Sequence, residues 1–538
     1  IVNPPQNSPL DKVENFEFYT LYGHNTVGSV LKNKIGAKIK KGDIIAEIAN
    51  YPENGNWAPH LHFQIMLSTL NYKIDFPGVC YYNQVEVWKD LCPNPNLLFK
   101  SVDLNYTNDK SDGELIEYRK KHLGKSLKLH YEEPINIVRG EGVYLISKNG
   151  RKYLDTINNV AHVGHENESV VIEGQNQMSI LNTNSRYLHK SINELAEEII
   201  QTLPEKLSVI HFVNSGSEAN ELAIRMMKSH TGSNDILVSE NGYHGNTNIC
   251  VDISSYKFDG NGGKGAPENT HVIPMPTKFN GKYKGENASK GYISEIENSI
   301  NNLKSKNRGL GGFIIEPIIS CGGQVELPDG FLKTAYDLIR KNGGICISDE
   351  VQVGCGRLGE SFWGFELHDV IPDIITIGKP LGNGHPIGAV VCTSEIAESF
   401  ANGMEFFNTF GGNPVSCSIA TQVLKVVKNE NLQKNAKTIG NYFKKELKKL
   451  SGKHDIIGDV RGQGLFLGIE FIDHKMNPLF KEAKYIVNRL KNFGILASLD
   501  GPSNNVIKIK PPLIFNKDNC DTFIFYLHKI LDEDFLNK

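Results

Sequence analysis

No apolar run in this chain approaches the roughly 20 residues that a membrane-crossing helix needs. An excess of one charge is lacking too. Lys and Arg number 58 against 61 Asp and Glu, a net charge of −3. That balance leaves no basic footprint for nucleic acid or for an anionic membrane. The nine cysteines are an odd count and are scattered without a C-x-x-C pair. They point to reduced thiols in a cytoplasmic protein rather than a disulfide frame. The start, Ile1 to Leu10, is rich in proline and asparagine and lacks the basic-then-apolar layout of a signal peptide. It lacks an initiator methionine as well, so the expectation is a fragment or processed form of a longer chain.

What is present falls into two unequal parts. Residues 1–70 read as a small β-rich domain. Residues 71–112 read as a connector, whose end from Asn105 to Gly113 is polar and turn-forming. From 113 to 538, strand and helix patterns alternate. Strands are expected at 208–213, 235–239, 312–316, 344–348, 373–377 and 387–392, and a helix at 217–230. That order predicts an α/β fold with a parallel sheet covered by helices.

Lys379 follows the isoleucine-rich run Ile374 to Ile377 and precedes Pro380, which should hold it extended at the exit of a buried strand. A lysine desolvated there favours the neutral amine needed for a Schiff base. Asp349 ends a second apolar run, from Gly344 to Ser348. A strand-end lysine and a strand-end aspartate match the two demands of pyridoxal phosphate: an amine for its aldehyde and a carboxylate for its pyridinium nitrogen. A surface lysine and a helix-capping aspartate explain either residue alone. After strand 208–213, Ser215-Gly216-Ser217 opens a helix, whose free N–H groups and positive dipole end suit a phosphate. An ordinary N-cap accounts for the same residues.

Seven motifs in one order carry a resemblance to the class-III aminotransferases. They are Ser215-Gly216-Ser217-Glu218-Ala219, Tyr243-His244-Gly245, Glu316-Pro317, Asp349-Glu350-Val351-Gln352, Gly378-Lys379, Asn408 through Pro414, and Arg461-Gly462-Gln463-Gly464-Leu465. The resemblance implies PLP fold type I. This has a parallel-rich central sheet flanked by helices at about 166–415, and a smaller α+β domain from about 113–165 and 416–538. It implies pyridoxal 5′-phosphate as cofactor, with Lys379 as its covalent partner and proton carrier and Asp349 at the ring nitrogen. Tyr243 would stack on the ring, Gln352 would reach the phenolic oxygen, and Gly216 and Ser217 would hold the phosphate. His244 and Glu316 also join the cofactor site, although a structural histidine and a loop-orienting glutamate remain alternatives. Thr409 would reach the phosphate in a neighbouring subunit, which implies a homodimer with sites at the interface. Arg461 would bind the substrate's acidic group, for which its planar fork is suited.

Further segments, Asp155 to His165, Leu181 to Arg186, Ser320 to Gln324 and Gly378 to Pro386, resemble the ethanolamine-phosphate and 5-phosphohydroxy-lysine phospho-lyases. That likeness implies elimination of phosphate from a phosphorylated amine, with release of ammonia and an aldehyde. Transfer of the amino group to a 2-oxo acid is the alternative.

Near the start, Tyr22-Gly23-His24 and Ala58-Pro59-His60-Leu61-His62-Phe63 resemble the lysostaphin-type zinc peptidases. No upstream His-x3-Asp precedes them, so His62 would be a lone ligand, and His24 and His60 remnant peptidase histidines. No metal is expected there. The segment reads as a packing or tethering module.

Overall fold

The computed structural model describes residues 18–40, 42–54, 59–70, 88, 91–92 and 110–536. Two compact units divide the chain, Ile1–Ser111 and Asp112–Lys538.

In the first unit, Tyr19–Gly23 pairs antiparallel with His62–Met66, and Gly23 faces His62. The His24 ring lies 4.5 Å from His60 and 5.8 Å from His62, centroid to centroid. The His24 Nδ1 atom is 2.7 Å from the Asn54 carbonyl.

The second unit is built on a seven-stranded sheet. Its strands are β1 (Val209–Val213), β2 (Asp235–Ser239), β3 (Thr270–Ile273), β4 (Leu310–Ile315), β5 (Ile345–Asp349), β6 (Ile374–Ile377) and β7 (Gly388–Cys392). Their order across the sheet is β1-β7-β6-β5-β4-β2-β3. Most of these strands are apolar-rich and buried along their whole length, as expected of a sheet covered by helices on each side.

One expectation is corrected here. The sheet is mixed, because β7 runs antiparallel to both β6 and β1. The stretch between β6 and β7 holds only a 3₁₀ turn at Lys379–Gly382, with no crossover helix. A parallel return needs a crossover of about a dozen residues or more, usually a helix. The other six strands therefore point the same way, and their carboxyl ends share one edge.

Helix α1 (Gly216–Thr231) packs Ala219, Ala223 and Met227 against Ile347, Ile374 and Val390 of the sheet. It starts at the N-cap Ser215, whose hydroxyl accepts from Glu218 N at 3.1 Å, and ends at Gly232 with φ 67°. A left-handed residue there is the usual helix stop and favours glycine. The opposite sheet face is covered by Phe331, Leu332, Ala335 and Tyr336.

Helix α2 (Pro414–Asn429) leads through helix α3 (Leu432–Ser451) into two smaller sheets. One is antiparallel and made of 457–463, 466–471, 506–509 and 498–500. The other joins 137–141, 144–147 and 152–155 to Ile495–Leu496. Helix α4 (Lys517–Leu531) closes this region, with Phe523 packed edge-on to Phe443.

Candidate active site

A cavity of about 280 Å³ opens at the shared carboxyl edge of the sheet. Strand ends supply its chemistry, as in other open α/β sheets. Asp349 comes from β5, Lys379 follows β6, and Gly216 and Ser217 follow β1.

Asp349 is held on both oxygens. Asn220 Nδ2 donates to Oδ2 at 2.8 Å, His244 Nδ1 lies 2.8 Å from the same oxygen, and Val351 N donates to Oδ1 at 3.1 Å. Asn220 is itself fixed, because Thr376 Oγ1 donates to its Oδ1 at 2.7 Å. The carboxylate is 2% exposed and cannot turn away from the cavity without breaking this set.

Lys379 is half-buried, and its amine makes no hydrogen bond or ion pair among the described residues. Its backbone differs from expectation. Lys379 opens the 3₁₀ turn Lys379–Gly382 instead of staying extended. Pro380 fits there because a first-turn N–H has no intrahelical partner to lose.

The cradle is shaped by missing side chains. A Cβ on Gly216 would sit 2.7 Å from Val351 Cγ1, and one on Gly245, at φ 137°, would sit 2.6 Å from Ser217 Oγ. Asn246 N donates to Ser217 Oγ at 3.1 Å, closing the loop over the start of α1. Tyr243 lines the same cavity and meets Tyr256 edge-on at 5.7 Å. Burial raises the Tyr243 phenol and keeps it protonated.

Glu316 is buried beside this set without lining the cavity. Ser320 Oγ donates to its Oε1, and its Oε2 is buried without a partner. Burial, aided by the Asp349 charge, pushes its carboxyl up to about 7. Gln352 also faces the cavity, and its Oε1 accepts from Asn159 at 2.7 Å and from Lys510 Nζ at 3.1 Å.

Two expected residues lie elsewhere. Arg461 is 7% exposed and absent from this cavity. Its Nε donates to the Gly323 carbonyl at 2.8 Å, and its Nη1 to Asp459 at 3.0 Å and to Glu470. Two carboxylates share its Nη1, and the side chain lines a separate cavity of about 550 Å³. Thr409 is exposed and likewise does not line the cavity of its own chain.

The sequence reading passed over Asn220, Asn159 and Lys510. Lys510 is 6% exposed, and burial, with Lys508 nearby, lowers its ammonium to about 8. Thr156 O accepts from Lys510 N at 2.7 Å, and Arg357 donates to the next carbonyl, Pro511 O, at 2.7 Å. Lys510 and Asn159 also line a neighbouring cavity of about 480 Å³, together with Lys508 and His130. The signal available was the alternation Lys508-Ile509-Lys510, which places both lysines on one face of a strand.

The donor set fits pyridoxal phosphate. Helix N–H groups and a serine suit its phosphate, a fixed carboxylate its ring nitrogen, and an untethered amine its aldehyde. The buried His244 Nε2, unpaired among the described residues, leaves one more polar atom beside the same cavity.

The aminotransferase class-III family model matches residues 128–531. A Drosophila melanogaster protein, "Alanine--glyoxylate aminotransferase 2-like", is 44% identical over 442 residues, which are 80% of this chain and 90% of that protein. A Caenorhabditis elegans protein, "Ethanolamine-phosphate phospho-lyase homolog 1", is 37% identical over 440 residues, covering 78% of this chain and 94% of that one. Among solved structures, a phospholyase from Arthrobacter in complex with phosphoethanolamine superposes with a TM-score of 0.75 at 35% identity, over 78% of this chain and 99% of that one. Fold and site together define a fold-type-I enzyme whose cofactor is pyridoxal phosphate. The chain belongs to the class-III aminotransferase family.

Proposed function

We propose that the protein is a phospho-lyase that removes phosphate from a phosphorylated amine such as ethanolamine phosphate or 5-phosphohydroxy-lysine. The observation that carries this reading is the basic cavity beside Gln352, lined by Lys508, Lys510 and His130. Lys508 is paired there with Asp500 at 2.9 Å, which leaves Lys510 as the ammonium offered to a phosphate dianion. The Arthrobacter phospholyase, whose structure holds phosphoethanolamine, supports the same substrate class.

Bound pyridoxal phosphate supplies the electron sink for the pair left when the C–H bond beside the amine breaks. Lys379 is the base placed to take that proton, since no hydrogen bond or ion pair among the described residues ties its amine. Asp349 would face the ring nitrogen, fixed in place by the hydrogen bonds from Asn220 and Val351. Gly216 and Ser217 hold the cofactor phosphate, and Tyr243 covers the ring face. Gln352 is oriented by Asn159 and Lys510, which both donate to its Oε1 and so direct its amide N–H2 outward. Lys510 would hold the leaving phosphate. Net, ethanolamine phosphate and water give acetaldehyde, ammonia and inorganic phosphate.

Thr409 belongs, in this reading, to the site of a second subunit. The exposed Tyr187, Leu188, Met404 and Phe410 support a homodimer, because apolar side chains this exposed need a partner surface. His24, His60 and His62 serve packing or tethering in the first unit.

Amino transfer to a 2-oxo acid is the second reading. It is favoured by the 44% identity to the Drosophila protein named as aminotransferase-like. One experiment separates the two: phosphate release from each phosphorylated amine, with pyridoxal phosphate and without keto acid. Release that Lys379→Ala abolishes supports the lyase. Amino transfer to pyruvate or glyoxylate without phosphate release rejects it.

A further inference from the structure

His454, His528 and Asp532 come together far from the active-site residues in sequence, at the end of α4. They are the one group of three metal-capable side chains among the described residues whose ligand atoms all lie within 4.8 Å of each other. The His454 Nε2 and His528 Nδ1 atoms are 3.0 Å apart. Asp532 Oδ1 lies 3.9 Å from His454 Nε2, and its Oδ2 lies 3.6 Å from His528 Nδ1. Three ligands on a tetrahedral zinc ion at about 2.1 Å stand about 3.4 Å from one another. The three contacts, two of them made by different oxygens of Asp532, run from 3.0 to 3.9 Å around that value.

The backbone under the triangle is fixed. His528 and Asp532 are four residues apart at the end of α4 and share one face. Asp532 is the helix C-cap, and its N–H donates to the His528 carbonyl at 3.2 Å. His454 sits in the turn after α3, where its N–H donates to Leu450 O at 3.2 Å and its carbonyl accepts from Ile457 N at 3.0 Å. No lysine or arginine pairs with Asp532 among the described residues. Its ion-pair partners are the two imidazoles. The neighbouring Glu533 is taken by Arg489 and Tyr485. The negative end of the α4 dipole adds attraction for a cation.

The structure assigns to His454, His528 and Asp532 a binding site for a divalent cation of the zinc class, with the fourth position open to water. Two imidazole nitrogens and one carboxylate are a donor set suited to such ions. Side-chain exposures of 10%, 41% and 63% for the three leave an entry path from solvent. A bound ion would clip the turn after α3 to the last turn of α4.

The test uses the full chain loaded with pyridoxal phosphate, first stripped with chelator and then titrated with zinc chloride or cobalt chloride. Expected are one zinc equivalent bound through these residues, a rise in Tm with zinc, and a visible cobalt band of tetrahedral type. Asp532→Asn and His528→Gln should each weaken binding at least tenfold, since loss of even an outer partner costs about that much. Asp532 is mostly exposed, so its variant folds even where a histidine variant does not. The same zinc affinity and cobalt spectrum in both variants as in the parent would place the metal elsewhere and overturn the assignment. Absence of any Tm shift or cobalt band would overturn it too.

Discussion

Asn220 Nδ2 donates to Asp349 Oδ2 at 2.8 Å, joining the first turns of α1 to the end of β5. The helix start proposed to cradle the cofactor phosphate is thereby tied to the carboxylate proposed for its ring. Asn220→Ala removes this donor and leaves a buried oxygen short of one partner, a cost of roughly 1–3 kcal/mol. The expected result is a weaker hold on pyridoxal phosphate, by about tenfold or more, read by absorbance titration of the apoenzyme. Retention equal to the parent would show that His244 and Val351 suffice.

Lys510 sets a pH limit. Its ammonium is lowered to about 8 by burial, so in the free enzyme the charge is lost as pH rises through that value. Since kcat/KM reports the free enzyme's groups, it should fall above about pH 8 for an anionic substrate. In Lys510→Arg the guanidinium stays charged, and the fall should move well upward. Stability moves in the opposite sense to activity. Below about pH 8 the folded protein carries the full cost of a buried charge, and that cost fades between about 8 and 10.5.

Arg461 should behave as a brace. Removing it strands Asp459 and Glu470 at the edge of a sheet, where breaking a buried ion pair costs about 3 kcal/mol. Arg461→Ala should lower Tm by several degrees and leave KM for the phosphorylated amine within about twofold, as read by calorimetry and steady-state kinetics. A tenfold rise in KM at unchanged stability would restore a substrate role.

Gly245 has φ 137°, and a Cβ there would lie 2.6 Å from Ser217 Oγ. Gly245→Ala should therefore cost about 1–3 kcal/mol in strain and displacement of the cradle. Cofactor affinity should drop about tenfold to a hundredfold, while far-UV circular dichroism stays at the parent value.

Glu316 gives a pH signature of its own. Its carboxyl is raised by burial to about 7, so the folded state binds a proton that the unfolded state has lost between about pH 4.5 and 7. The stability from this group is full below about 4.5 and is lost as pH rises through about 7. Glu316→Gln should flatten that part of the stability curve, measured by denaturant unfolding at a series of pH values.

Much of the chemistry lay in the local pattern. Strand-end positions follow from apolar runs bounded by glycine and proline, so Asp349, Lys379 and the turn at Gly216 could be read from the chain, as could the six strands at 208–213 through 387–392. The reversed β7 could not, because an apolar run says nothing of its direction. Only the short link from Lys379 to Ile387 decides it, and pairing with β1 and β6 fixes it. The 3₁₀ turn at Lys379 likewise reflects tertiary packing over the preference of the residue before proline.

Residue type alone did not show the surroundings of Arg461 or single out Lys510, for one reason. A charged side chain's role depends on which polar and charged groups lie within a few ångströms, and the fold rather than residue type sets that. Glu470 reaches Arg461 from the adjacent strand, and Gln352 meets Lys510 across 158 residues. The sequence by itself determined where strands end and which chemical groups stand at those ends, because burial and turn propensity act locally. The tertiary structure alone decided which cations are spent on neighbouring carboxylates and which remain to meet a substrate, because Coulomb pairing is set by distance through space.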